Sequence, residues 1–212
     1  MKPRLKAVRQ LLPVFLALLL LFEIGAFATT ITPPSEKYLQ LYVLGFGGAA
    51  NNYYPNGSSS FRVGESISWH LGVVNDMGLV QLVAVRVKLG NQSIETPNDT
   101  LATPSPAPLI TEFKSFVQDN ETWDIPFEWQ VTNYTTQSGG QIGTLTLMID
   151  NMTYSIQNPP SCLTSSCSFR LIFELWTWNV ELSDFQIGWW NGGQQRIAWL
   201  QLWFNLAPSG RK

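Results

Sequence analysis

Charge is scarce in this sequence. Asp, Glu, Lys and Arg make up 13% of its 212 residues, and the formal net charge is −2, whereas an average soluble domain carries about 25% charged residues. A chain with so little positive charge has no electrostatic footprint for nucleic acid and none for an acidic partner. Histidine occurs once, at His70, and cysteine twice, at Cys162 and Cys167. Two thiols without clustered histidines make a poor zinc site, and the C-x4-C spacing is not the C-x-x-C of redox proteins. No amphipathic helical stretch follows Pro34, and no internal repeat of the length that builds solenoids is present.

Neutral polar and aromatic residues take the place of charge. Hydrophobic residues reach 45%, enough for a proper core, and nine of the aromatics are Trp. A surface solubilised by Asn, Gln, Ser and Thr suits an exterior where attached sugars supply hydration. The N-terminus agrees with export. Lys2, Arg4, Lys6 and Arg9 precede an apolar run over 11–22, which Glu23 interrupts and 24–28 resume. At about 1.5 Å per residue, positions 11 to 28 reach roughly 27 Å, close to the ~30 Å of a hydrocarbon core. The positive-inside rule keeps the basic stub in the cytoplasm and sends the bulk outward. The chain therefore divides into a cytoplasmic stub (1–10), a single-pass anchor in the cell membrane (11–30) and an extracellular domain (31–212). The same residues also spell a secretory signal peptide, with Ala26-Phe27-Ala28 as its cleavage site.

Six N-x-S/T acceptors lie beyond this segment, at Asn56, Asn91, Asn98, Asn120, Asn133 and Asn151. The Asn, Ser and Thr content predicts roughly two by chance, so the excess points to N-linked glycans. Cys162 and Cys167 flank a turn-like stretch, and a disulfide between them suits an oxidising exterior.

Beyond Pro34 the hydrophobic period is two. Ile67, Trp69, Leu71 and Val73 alternate with polar or small residues, as do Val83, Val85, Val87 and Leu89. Such alternation marks strands with one buried face. The intervening Asn75-Asp76-Met77-Gly78 reads as a hairpin turn. Further strands are expected near 36–44, 111–118, 122–132, 142–149, 167–178 and 195–206. Residues 91–110, with four prolines and two sequons, read as a long exposed loop. Together these predict an all-β fold, an antiparallel immunoglobulin-like β-sandwich behind one transmembrane helix. Trp189-Trp190-Asn191-Gly192-Gly193 reads as a hairpin tip whose exposed tandem Trp is a candidate interaction site.

The segment Tyr42-Val43-Leu44-Gly45-Phe46-Gly47-Gly48, followed by Ala50, Tyr53, Tyr54 and Pro55, resembles the archaeal domain of unknown function 1616. So do Gly64-Glu65, the Gly72 to Asn75 "G-V-V-N", Asn120-Glu121-Thr122-Trp123 and the closing Leu200-Gln201-Leu202-Trp203. Longer members carry several membrane helices before an extracytoplasmic β domain. The resemblance thus implies an uncleaved anchor and an archaeal origin, with no catalytic residues to carry over. Gly45, Gly47 and Gly48 are expected to form a tight bend, because no following helix or Lys is present to make them a phosphate cradle.

No catalytic constellation is legible. His70 sits on the polar face of its strand without a Ser or Cys motif for a triad. Glu121/Asp124 and Glu181/Asp184 read as solvated loop charges rather than a glycosidase pair, and Asp119-Asn120-Glu121 lacks the ligand count of a calcium loop. No cofactor and no metal are expected. The expected function is a non-catalytic, membrane-anchored, N-glycosylated envelope module that meets an envelope or membrane-protein partner. The alternatives are a carbohydrate-binding or adhesive module using exposed Trp, and a surface-layer or filament subunit released by cleavage after Ala28.

Overall fold

The computed structural model describes residue 13 and residues 15–23, 36–161 and 168–206. The chain divides after Glu36 into two units. In the first, Pro13 and residues 15–23 are helical. Among the described residues no helix is long and apolar enough to cross a membrane.

The second unit is an antiparallel β-sandwich. Its strands are β1 (Tyr38–Leu44), β2 (Ser60–Phe61), β3 (Ile67–Asp76), β4 (Gln81–Asn91), β5 (Leu109–Val117), β6 (Glu121–Thr136), β7 (Ile142–Ile149), β8 (Met152–Gln157), β9 (Ser168–Asn179), β10 (Asp184–Ile187), β11 (Trp189–Asn191), β12 (Gln194–Arg196) and β13 (Trp199–Leu206). One sheet runs β1-β3-β6-β7-β8 and the other β2-β13-β9-β4-β5, with β10 against β9 and a separate β11-β12 hairpin. The order β13-β9-β4-β5 follows the G-F-C-C′ order of a variable-type immunoglobulin sheet. The short β2 pairs parallel with β13.

The core lies between the sheets and is unusually aromatic. Trp69 of β3 and Trp129 of β6 pack with ring centroids 5.2 Å apart, Phe127 meets Phe173 of the facing sheet at 5.3 Å, and Phe204 of β13 reaches Trp129 at 5.0 Å. Alternation puts each of these rings on the inward face of its strand, and edge and tilted geometries suit their quadrupoles.

The turn at 77–80 is not a hairpin. β3 and β4 belong to different sheets, so the chain crosses the core there. Each strand has one apolar face, and two such faces can be buried by facing each other as well as by lying side by side; period-two patterning does not distinguish the two. The crossover is pinned by Asn75, a fully buried side chain. Its amide nitrogen donates to the carbonyls of Leu79, Val117 and Gln118 at 2.9, 2.8 and 3.2 Å, and its oxygen accepts from the Met77 N–H at 3.0 Å.

The stretch 92–108 also departs from expectation. It closes on itself through an Asn98–Thr103 bridge and buries Ser105 and Ala107, so it is a strap lying on the outer face of the β13-β9-β4-β5 sheet. The expected strand at 195–206 is two elements, β12 and β13.

The two ends of the sandwich differ. The polypeptide enters at Lys37, and Tyr38 pairs with Asp76. The turns at 77–80, 118–120 and 180–183 share this end, because Gln81 pairs with Val117 and Val83 with Thr177. The loop from Gly45 to Gly57 caps the opposite end, where Leu44 pairs with His70.

Candidate functional site

Five of the six sequon asparagines, Asn56, Asn98, Asn120, Asn133 and Asn151, are exposed. Asn91 is not: it is 5% exposed, donates to the Ser161 carbonyl at 2.8 Å and accepts from the Ser93 amide and hydroxyl. Its amide nitrogen is out of reach of a glycosyl donor while the fold is intact. Asn56, Asn120 and Asn151 have positive φ, at 55°, 60° and 65°, a conformation Asn tolerates better than most residues. Turn chemistry is thus a second reason for asparagine at those three places. Cys162 and Cys167 lie outside the described residues.

The tandem Trp splits. Trp189 is 7% exposed and belongs to the core, while Trp190 is 55% exposed. Both lie on β11, where neighbouring side chains point to opposite faces; the turn itself is Gly192-Gly193. Of the other seven, Trp69 and Trp129 are core residues, Trp123 packs half-buried against the core, and the remaining four lie outside it. Trp176, Trp199 and Trp203 lie half-buried on the outer face of the β13-β9-β4-β5 sheet, and Trp178 lies at the Lys37 end against Phe185 at 5.3 Å.

That outer face holds the most developed polar cluster among the described residues. Glu174 is fully buried and takes Lys88 Nζ at 2.9 Å, the Ser105 N–H at 2.7 Å and Trp176 Nε1 at 3.0 Å. Lys88 Nζ also donates to the Ser105 carbonyl at 2.6 Å. The Arg86 guanidinium stacks 3.8 Å over the Trp176 ring and bonds Glu112 at 3.3 Å. Lys114, with help from Arg86, holds the Glu112 carboxyl below its ordinary value. Arg170 donates to Gln201 at 2.6 Å and to the Ile94 carbonyl of the strap, and lies 4.9 Å over Trp203; burial lowers its pKa. Both carboxylate oxygens of Glu174 are engaged by these donors. The cluster clamps the strap; it does not present a free acid or base.

The bend at Gly45 is tight for a steric reason. A Cβ on Gly45 would stand 2.0 Å from the Asn51 carbonyl oxygen, and Gly47 and Gly48 have φ of 88° and 72°. The bend delivers Tyr53 and Tyr54 against the core, where Trp69 Nε1 donates to the Tyr53 carbonyl at 2.5 Å. An open cleft of about 600 Å³ results, lined among others by Phe46, Asn52, Tyr53, Asn56, Ser66 and Glu128. Phe46 at its lip is 76% exposed. An exposed ring beside amide groups and a carboxylate is chemistry suited to a sugar.

Tyr54 donates to the Trp203 carbonyl at 2.5 Å, and burial pushes its phenol up to about 12 from an ordinary 10.0. The unfolded chain ionises this group first, so its contribution is whole below pH 10 and is lost as pH rises towards 12. Tyr54→Phe is expected to cost about 1 kcal/mol at neutral pH and to flatten part of the alkaline limb. Urea unfolding at neutral pH and at pH 11 checks both; an unchanged alkaline limb would rule out Tyr54 as its source.

The candidate acids do not converge. His70 lies 3.3 Å from Asp124, on the outer face of the β1-β3-β6 sheet, and Glu121, Glu181 and Asp184 are exposed. Among the described residues, no three His, Cys, Asp or Glu side chains are grouped to hold a metal ion.

No family model matches the chain, and no curated protein matches it. Among solved structures it is similar to the CARDB domain of a Pyrococcus furiosus protein, crystallised in complex with di-metal ions, at 10% identity and a TM-score of 0.37 over 82% of this chain and 90% of that one. It is also similar to Spo0M, a sporulation control protein from Bacillus subtilis, at 10% identity and a TM-score of 0.36 over 81% of this chain and 50% of that one.

Proposed function

We propose that this chain is a membrane-anchored, N-glycosylated envelope protein whose β-sandwich acts as a non-catalytic interaction module on the cell exterior. The observation that carries the reading is the surface. It is poor in charge, it exposes five sequon asparagines, and its most buried carboxylate is committed to an internal clamp. The apolar run at 11–28 behind a basic stub supports the anchor. The resemblance to the archaeal domain 1616 supports the same topology, with a partner in the envelope or the membrane.

The test is peptide mapping and intact mass of the protein from its native membranes. The expected result is a full-length chain that resists alkaline carbonate extraction, with every glycan found drawn from the five exposed sequons and none elsewhere. The Asn91 peptide is expected to be unmodified. A mass beginning after Ala28 would transfer the reading to a released surface-layer or filament subunit. An unglycosylated, carbonate-soluble chain would sink the proposal.

A second reading, a carbohydrate-binding module, is favoured by the cleft beside Phe46. It moves the sugar platform from the tandem Trp to that ring. Phe46→Ala is then expected to abolish retention on a glycan array while leaving thermal stability unchanged, because the side chain is exposed.

A further inference from the structure

Exposed apolar side chains are unevenly distributed on the sandwich. Of the thirteen large hydrophobic residues exposed on it, eight lie at the Lys37 end, including Leu79, Val80, Phe116, Val180 and Leu182. The other five, among them Phe46 and Met152, are scattered. The cluster is built by register. Phe116 pairs with Leu82 across β5 and β4, and Trp178 pairs with Phe185 across β9 and β10. With Val83 opposite Thr177, Leu82 and Trp178 are next to each other in the ladder. One apolar row therefore crosses four strands on the outer face, and two apolar turns continue it over the end. Val180 is 79% and Phe116 70% exposed, values with no folding benefit to explain them.

This is also the end where the chain enters. The Lys37 carbonyl accepts from Asn191 at 2.8 Å, beside Trp190, and the Lys37 side chain lies 3.6 Å from where a Cβ on Gly78 would stand. Only residues 29–36 separate Lys37 from the apolar run at 11–28, a reach of at most about 30 Å. A bilayer holding that run is within reach of this end before any other part of the sandwich.

We infer that the Lys37 end of the sandwich is a lipid-docking surface, on which Trp178, Trp190, Phe116 and the 79–80 and 180–182 turns enter the interfacial zone of the same bilayer that holds the N-terminal segment. Indole rings with one wet edge suit that depth. Asp119, Glu121, Glu181 and Asp184 flank the patch, so the surface takes neutral headgroups and is repelled by anionic ones. Asn120, in the 118–120 turn of the same end, is expected to carry no glycan. The inference rests on the anchored reading.

All nine tryptophans lie beyond Glu36, so tryptophan emission reports on the sandwich alone. The full chain, reconstituted in phosphatidylcholine vesicles with acyl chains brominated near the headgroup, is expected to lose roughly a fifth of its emission relative to unbrominated vesicles, the share of two rings in nine at interfacial depth. Trp178→Phe should remove about half of that loss, the other half belonging to Trp190. Val180→Glu with Leu182→Glu should abolish most of it at unchanged thermal stability, while Phe46→Glu at the opposite end should leave it intact. Adding anionic lipid should reduce it. A chain that does not float with the vesicles overturns the anchored reading and this inference together. Flotation without quenching overturns this inference alone, and a dimer mass in detergent under those conditions would assign the patch to a second copy.

Discussion

Replacing Asn75 with Ala is expected to destabilise the sandwich by about 2–4 kcal/mol, because it strands backbone groups of the adjoining turn and of the distant end of β5 at once. The side chain is fully buried. Its two amide protons serve carbonyls at Leu79, Val117 and Gln118, and its oxygen serves the Met77 amide. One residue thus closes the crossover from β3 to β4 and ties it to the end of β5. Asn75→Asp separates the polar role from packing. The shape is kept, but an acceptor now faces carbonyl oxygens and a charge is buried without a partner. Its folded pKa must rise above the unfolded ~3.9. The variant's stability is therefore greatest at acid pH and is lost as the pH rises through the folded value. Urea midpoints at pH 4 and pH 7 read this directly. A loss below about 1 kcal/mol for Asn75→Ala would show that the carbonyls find other donors and that the crossover does not depend on this side chain.

Breaking the Lys88–Glu174 pair from one side is expected to cost more, about 3–5 kcal/mol for Lys88→Met, since a fully buried carboxylate then keeps only the Ser105 N–H and Trp176 Nε1. The double replacement Lys88→Met with Glu174→Leu should recover most of that loss. A remainder of about 1–2 kcal/mol is expected from the Ser105 N–H and carbonyl and the Trp176 Nε1–H left unpaired. Because Ser105 is held through both its N–H and its carbonyl, the single variant should also loosen the strap. Limited proteolysis is then expected to shift to cleavage near 98–103, which the double variant only partly reverses. A double variant as unstable as the single one would mean that the clamp works through packing and not through charge balance.

Much of the fold was legible because the strongest strands carry their own signature. The alternation in β3, β4, β6, β7 and β9 is a local property of a pleated backbone with one dry side. β2 has two residues and leaves no period to read, and β8 is an edge strand exposed at Met152, Thr153, Ser155 and Gln157. Asn75 was visible as the end of an alternating strand, but its burial depends on carbonyls more than forty residues away. Lys88 and Glu174 sit on strand faces that read as wet, and become dry only because the strap folds back over them. Trp189 and Trp190 read as a pair at a tip; their opposite fates follow from being on a strand instead of in the turn.

The sequence by itself determined that a basic and apolar N-terminus precedes a β domain, where its strongest strands run, and how little charge, histidine and cysteine it carries. These are properties of composition and of local backbone periodicity, and need no partner to be expressed. Only the tertiary structure decided which sheet each strand joins, which asparagine is hidden, and that the spare apolar side chains gather where the chain enters. Those outcomes depend on which faces meet across the core, and a strand's own residues are satisfied equally well by several choices of neighbour.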